Sequence, residues 1–291
     1  MAPPLPLPPD DRTSTVRDIL VVRAGTAERA GSTERRPDRL AGEEPMAIRV
    51  AGPGQVPVDV AVTMRTPGCD AELAVGFLVS EGLLAPADLV GLTVEAGDPA
   101  DVATPENELV VRIGRAFAAA AVPDRAFVVS ASCGICGKAS LDDVAVRCAP
   151  LPPGPRVDAA LIAALPDHLR TGQAVFAQTG GLHAAGLFDA AGALLAVRED
   201  VGRHNALDKL IGAAALAGDL PLHGRLLAVS GRVSFEIVQK AAVAGIPIVA
   251  AVSAPTDLAV EAAERLGMTL IGFVRGGGFN VYCGEERIAI E

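Results

Sequence analysis

The feature that most narrows the possible folds is the rhythm of the C-terminal third, where short apolar runs alternate with stretches of helical spacing. Leu226 to Val229, Ile246 to Val252 and Thr269 to Val274 are short, continuously apolar runs of the kind that become buried strands. Between them, Ser234 to Val243 and Asp257 to Leu266 carry apolar residues three and four apart, as amphipathic helices do. Strands joined through helices imply right-handed crossovers and a mainly parallel sheet covered by helices on both faces. Upstream, His183 to Phe188 and Ala193 to Val197 read as a hairpin around Asp189-Ala190-Ala191-Gly192. Asn205 to Leu216 reads as a buried helix, Ala159 to Leu165 as a short one, and Ala174 to Gln178 as a strand. The expected class is α/β.

A smaller α+β unit precedes it. Met46 to Val50 and Val56 to Met64 alternate apolar and polar residues like paired strands, and Asp70 to Leu84 has helical spacing before Pro86 stops it. Glu108 to Ile113 and Ala126 to Ser130 are further strand candidates. Met1 to Ser14 is Pro-rich, and Arg29 to Glu44 is charged and dotted with Gly and Pro, so both read as mobile segments flanking one short strand at Ile19 to Val22. The expected division is a disordered arm over residues 1–15, an N-terminal α+β domain over 16–125 and a C-terminal α/β domain over 126–291, with a cysteine loop at 130–140.

Composition removes several classes of partner. The 35 acidic against 25 basic residues leave a net charge of -10, which repels nucleic-acid phosphates and anionic lipid. With no Trp, one Tyr and eight Phe, stacking platforms for single-stranded nucleic acid are scarce as well. The longest apolar run, Ala241 to Ala254, is broken by Gly245 and Pro247 and falls short of the ~20 residues a membrane helix needs. The first ten residues hold five prolines and no apolar signal core, so a cytoplasmic location is expected.

The chemistry concentrates in Cys133-Gly134-Ile135-Cys136-Gly137-Lys138. Two thiols at this spacing can share a metal, close a small disulfide ring, or pair a nucleophilic thiolate with a resolving thiol. Structural zinc needs two further ligands, and no second pair exists, so no metal site is assigned. A thioredoxin-like site usually has an aromatic residue before the pair and a helix after it, whereas glycines follow both cysteines here. A flexible, partly ionised thiol beside Lys138 suits a carrier that visits another active site.

Three stretches fall where a parallel sheet binds ligands, at strand C-termini feeding helices: Ser230-Gly231-Arg232, Ser253-Ala254-Pro255-Thr256 and Arg275-Gly276-Gly277-Gly278. Free backbone N–H groups with Ser, Thr and Arg at hand point to a phosphorylated ligand. Helix capping explains either of the first two alone. The glycine run is harder to dismiss, because glycines weaken a strand unless a ligand or another backbone comes close. Glu199 to Lys209 packs six ionisable side chains into a strand-to-helix junction. It reads either as a salt-bridged helix start or as a site with Arg203 and His204 facing a cleft. Thr179-Gly180-Gly181 before His183 reads the same way.

Taken together these stretches resemble the FdhD family of formate dehydrogenase accessory sulfurtransferases. The resemblance rests on Met64 to Gly68 with Glu72-Leu73-Ala74 and Gly76-Phe77-Leu78, and on Ser132 to Lys138. It continues through Thr179 to Ala185, Glu199 to Lys209, Ser230 to Arg232, Ser253 to Ala259 and Gly272 to Gly276. It implies a cytidine-deaminase-like C-terminal fold without the deaminase's zinc, and a homodimer. It also implies that sulfur arrives from a cysteine desulfurase as a persulfide on Cys133, with Cys136 assisting or resolving it. The acceptor it implies is the molybdenum or tungsten of the bis-guanine-dinucleotide cofactor (Mo-bis(molybdopterin guanine dinucleotide)) before that cofactor enters formate dehydrogenase, with GDP as an analogue. The family's cofactor-binding stretch falls on Phe273, Val274, Arg275, Gly276, Gly277 and Gly278. The competing class is a zinc-stabilised nucleotide-binding module without sulfur chemistry, and a dithiol–disulfide oxidoreductase is a third reading.

Overall fold

The computed structural model describes residues 11–24, 30–99, 104–122 and 150–290. The cysteine loop 130–140, the strand expected at Ala126 to Ser130 and the 125/126 domain boundary lie outside the described residues, as do residues 1–10.

The first two strands, β1 (Ser14–Arg23) and β2 (Ser32–Ala41), form an antiparallel hairpin with Ser14 opposite Ala41. This corrects the reading of Arg29 to Glu44 as mobile, and Ser14 and Thr15, assigned to the arm, belong to β1. Neither face of the hairpin is fully buried, so its strands lack the apolar alternation that announces a strand. Cross-strand polar pairs such as Arg39 to Ser14 Oγ (3.0 Å) and Arg23 with Glu34 (3.5 Å) link the strands instead.

Next come β3 (Glu44–Ala51), β4 (Val58–Arg65), helix α1 (Asp70–Ser80), β5 (Thr93–Ala96) and β6 (Glu108–Arg112). The four strands make one sheet in the order β4-β3-β6-β5, with β3 and β6 parallel. After the short strand β7 (Val157–Asp158) follow α2 (Ala159–Thr171) and α3 (Ala174–Thr179). The strand expected at Ala174 to Gln178 is therefore a helix. The Glu199 carboxylate accepts from the N–H groups of Val175 (2.9 Å) and Phe176 (2.7 Å), satisfying the first turn from more than twenty residues away. Gly180, with φ at 67°, ends the helix.

The large sheet comprises β8 (His183–Asp189), β9 (Leu194–Asp200), β10 (Arg225–Val229), β11 (Ile248–Ala251), β12 (Thr269–Arg275) and β13 (Gly278–Cys283), in the order β13-β12-β11-β10-β8-β9. Helices α4 (Arg203–Ala217), α5 (Phe235–Val243) and α6 (Asp257–Arg265) connect its strands, and β14 (Ile288–Ala289) pairs with β7. The α/β class holds, but the sheet is mixed: β10, β11 and β12 are parallel, while β8, β9 and β13 join antiparallel through hairpins or at an edge.

Alternate residues of each strand serve opposite cores, the period-2 consequence of the pleat. Ala185, Leu187, Leu227, Val229, Val249, Ala251 and Leu270 pack towards α1, α4, α5 and α6. Ala184, Phe188, Leu226, Ala228, Ile248, Ala250 and Ile271 pack against Ile162, Leu165 and Leu169 of α2. The first core also takes in Met46, Ile48, Leu73 and Leu78, so both sheets share it through α1. Among the described residues no helix is long and apolar enough to cross a membrane.

Candidate functional site at the sheet edge

Because β8 runs against β10, and β9 against β8, the C-terminal ends of β9, β10, β11 and β12 and the start of β8 share one edge. That edge gathers His183, Asp200, Ser230, Ser253 and Phe273, the strand ends of five expected motifs.

Much of this polar chemistry fastens the structure. Asp200 is fully buried; it meets Lys209 Nζ at 2.7 Å and accepts from the N–H of Thr66 (3.1 Å), the N–H of Gly202 (2.8 Å) and Asn205 Nδ2 (3.1 Å). Lys209 also donates to the Thr66 carbonyl (2.7 Å), Asn205 to the Met64 carbonyl (2.8 Å), and the Val201 N–H to Thr66 Oγ1 (3.1 Å). Arg198 holds Glu72 through two N–H donors, and Lys240 ties Asp208 (3.0 Å), Ser80 Oγ (2.8 Å) and Glu81 (2.9 Å). The motif at Met64 to Gly68 and the motif at Glu199 to Lys209 are thus two sides of one seam. Breaking one member of such a buried ion pair costs about 3–5 kcal/mol, which explains the density of charge there without any ligand.

Two residues of the second motif are turned to other work. Gly231 lies so close to His183 that a Cβ on it would sit 3.3 Å from Nδ1, and 3.7 Å from Arg203 Cδ. The Arg203 Nε is buried without a hydrogen-bond partner among the described residues. An unmatched cationic donor beside the Ser230-Gly231 turn is suited to an anion. Burial, and then Arg203, hold His183 below the ordinary imidazole range, with Asp200 partly opposing. Burial, and then Arg203 and Lys240, take His204 from 6.5 to about 4; its Nε2 lies 3.1 Å from Ser234 Oγ, at the start of α5. Arg203 therefore stands at the edge, while His204 points into the α4–α5 packing.

Of the stretch expected to hold a cofactor, Phe273 adopts φ 54°, an outlier for a bulky side chain, and its N–H donates to the Ser253 carbonyl at 3.1 Å. Val274 is spent in the core beneath α2. Arg275 is exposed and lies 5.2 Å over the Phe273 ring. Gly276 and Gly277, with φ 61° and 80°, form the two-residue turn that places Arg275 opposite Gly278, the geometry that closes a tight hairpin. A Cβ at 276, 277 or 278 would meet no atom within 4 Å, so turn geometry accounts for the run without a close backbone approach. The strand β13 that this turn begins has no counterpart in the sequence reading. Thr256 sits at the start of α6 without a side-chain cap bond, which leaves the capping explanation unsupported there.

The expected reactive residues, Cys133 and Cys136, lie outside the described residues. The described thiols are poor nucleophiles: burial, reinforced by Glu72, pushes Cys69 up to about 11, and burial does the same to Cys283.

Sequence reasoning also missed a cleft of about 470 Å³ between α2, α3 and the sheet edge, lined by Asp167, Arg170, Gln173, Phe176, His183 and Ser230 among others. Only the helical assignment of Ala174 to Thr179 assembles it, and the strand reading hid that.

Comparison with known proteins defines first the fold and then the family. A crystal structure from Desulfotalea psychrophila, provisionally described as a formate dehydrogenase accessory protein, superposes with a TM-score of 0.69 at 24% identity, covering 95% of this chain and 100% of that one. Residues 41–289 match the FdhD/NarQ family. The sulfur carrier protein FdhD of Streptomyces avermitilis is 50% identical over 271 residues, 90% of this chain and 93% of its own length. That of Anaeromyxobacter dehalogenans strain 2CP-C is 47% identical over 285 residues, 94% of each chain. The chain belongs to the FdhD/NarQ family, whose relatives carry sulfur by name.

Proposed function

We propose that this chain takes sulfur from a cysteine desulfurase as a persulfide on Cys133. It hands that sulfur to the molybdenum or tungsten of a bis-guanine-dinucleotide cofactor destined for formate dehydrogenase, acting as a cytoplasmic homodimer. The observation that carries the reading is the 50% identity to a sulfur carrier protein across nearly the whole of both chains. The Gly-flanked pair Cys133 and Cys136 supplies the chemistry. The Cys133 thiolate attacks the outer sulfur of the donor persulfide, forming the Cys133 S–S bond and releasing the desulfurase thiolate. Attack of Cys136, or of a cellular thiol in its place, on the Cys133 sulfur then forms a disulfide and expels hydrosulfide at the metal, the two thiols providing the two electrons; a cellular dithiol restores them.

On the side of the cargo, the reading is supported by the unmatched Arg203 Nε and by exposed Arg275, which offer cationic donors for a diphosphate. The test is mass spectrometry after incubation with a desulfurase and cysteine. A one-sulfur increase is expected on Cys133, lost in Cys133→Ala together with formate dehydrogenase maturation. Cys136→Ala is expected to be milder. An unmodified Cys133, or maturation retained in Cys133→Ala, overturns the reading, and equal complete loss in both variants points to a shared metal or an obligatory disulfide.

A further inference from the structure

The hairpin of β1 and β2 has two outer edges, and only one of them is closed. The Gly42 N–H donates to the Thr13 carbonyl at 2.8 Å, which makes Thr13 and Gly42 a hydrogen-bonded pair at the foot of the ladder. Hydrogen-bonded and non-hydrogen-bonded pairs alternate along an antiparallel ladder. In the register that sets Ser14 opposite Ala41, Asp18–Pro37 and Leu20–Arg35 are therefore non-hydrogen-bonded pairs, whose N–H and C=O groups point away from the hairpin. Pro37 thus has its missing N–H on the outer edge of β2, where it breaks that edge and leaves the ladder intact. The outer edge of β1 has no proline, and among the described residues β1 has no neighbouring strand but β2. Val16, Asp18, Leu20 and Val22 present an open row of donors and acceptors there, on a ten-residue strand with high β propensity. Their side chains share one face, and that face is bare: Val16 and Leu20 are 53% exposed and Val22 65%. A two-stranded hairpin is marginal in water until a further strand or a packed layer supports it. On the β2 side α3 provides that support, with Ala41 against Gly181, while the edge of β1 has none from a strand.

We infer that β1 pairs antiparallel with β1 of a second copy of this chain, joining the two hairpins into one four-stranded sheet across a two-fold axis. The inference rests on the homodimer proposed above and assigns the contact that forms it. Two identical strands running antiparallel are self-complementary under such an axis, the symmetry of an isologous dimer. Outward-facing positions must meet outward-facing positions, so the possible registers differ by two residues. In one of them Val16 lies opposite Val22 of the copy, Asp18 opposite Leu20, and Ile19 opposite Ile19, with nearly the whole strand paired and no like charges opposed. A shift of two residues one way sets Asp18 against Asp18 of the copy, and a shift the other way sets Arg17 against Arg23. Like charges directly opposite destabilise a strand pair, which selects the first register. The apolar side chains left bare on each hairpin then join into one stripe across the axis.

The experiment is sedimentation equilibrium of the full chain, with melting curves confirming that each variant folds. The wild type is expected to be a dimer. Leu20→Pro removes an outward N–H while sparing the hairpin's own ladder, so it should weaken self-association about tenfold or more, through two hydrogen bonds related by the axis. Arg35→Pro makes the same change on the outer edge of β2 and should leave the dimer as it is. The register is read with Ile19→Cys. In a non-hydrogen-bonded pair the two Cα atoms lie about 4.5 Å apart, within disulfide reach. Mild oxidation should therefore link two copies through position 19, a link that peptide mass spectrometry separates from any made by the native cysteines. A dimer that tolerates Leu20→Pro, equal weakening by both proline variants, or Ile19→Cys that stays unlinked to its own copy overturns the edge pairing and leaves the homodimer standing on another surface. A monomeric wild type overturns both.

Discussion

Gly76 of α1 and Gly212 of α4 face each other across the helix crossing, so close that a Cβ on Gly76 would sit 2.7 Å from the Gly212 nitrogen and one on Gly212 2.8 Å from the Gly76 nitrogen. The atoms in the way are backbone, which cannot swing aside like a side chain. Overpacking of this kind costs about 1–3 kcal/mol where side chains can adjust, and the larger end is expected here. Gly212→Ala should therefore lower the urea midpoint markedly, although alanine is the better helix former. An unchanged midpoint would show that the two helices separate without penalty.

The buried imidazole of His204 gives stability a pH dependence of known sign. Its ordinary value of 6.5 falls to about 4 in the fold, so the unfolded chain takes up a proton that the folded chain refuses. The contribution is fully present above about pH 6.5 and is lost as the pH falls towards 4. Asp208, raised by burial to about 6 against the pull of Lys240, and Glu199, raised chiefly by burial, work in the opposite sense over the acid range. The diagnostic is the difference between wild type and His204→Gln in urea midpoints from pH 7.5 to 4.5, which should narrow as the pH falls. A gap independent of pH would mean that His204 protonates freely in the folded state.

Thiol labelling separates the described cysteines from the candidate carriers. With both pushed up to about 11, Cys69 and Cys283 should react with iodoacetamide at pH 7.5 more slowly than free cysteine. Peptide mapping after brief labelling is expected to find the modification on other cysteines first. Cys69 labelled at the free-thiol rate would contradict the burial that sets its pKa.

Arg275 is exposed, and its described contact is the Phe273 ring, so removing it should hardly affect folding. Arg275→Ala is expected to weaken GDP binding by ~1.5–3 kcal/mol, the worth of a charge-assisted hydrogen bond, with a melting temperature near that of wild type. Unchanged calorimetric affinity would place the diphosphate elsewhere along the edge.

The helices and strands with a buried face were legible from the sequence because burial imposes a period. The hairpin at Asp189 to Gly192, α4, α5, α6 and the parallel trio β10 to β12 fall within a few residues of where apolar spacing puts them. Elements decided by distant contacts were not legible. The short α3 depends on Glu199 accepting from Val175 and Phe176, and β2 depends on polar partners across the hairpin, neither of which leaves a local pattern. For the site, Ser230, His183 and Arg203 could be flagged as residues at strand ends. The cleft beside α3 could not, because it is assembled only when residues 174–179 fold as a helix. The charge-dense motif at Glu199 to Lys209 was ambiguous for a physical reason: one strand-to-helix junction serves both the seam, through Asp200 and Lys209, and the edge, through Arg203.

The seam joins Thr66 to Asp200 across 134 residues of chain. At about 5–20 residues per second, the ribosome needs roughly 7–27 seconds to make the distance between them. For most of that interval Leu73, Phe77 and Leu78 of α1 have been made, but the α4 residues they pack with have not. A chain truncated before α4 is therefore expected to leave that apolar face uncovered and to aggregate where the full chain does not.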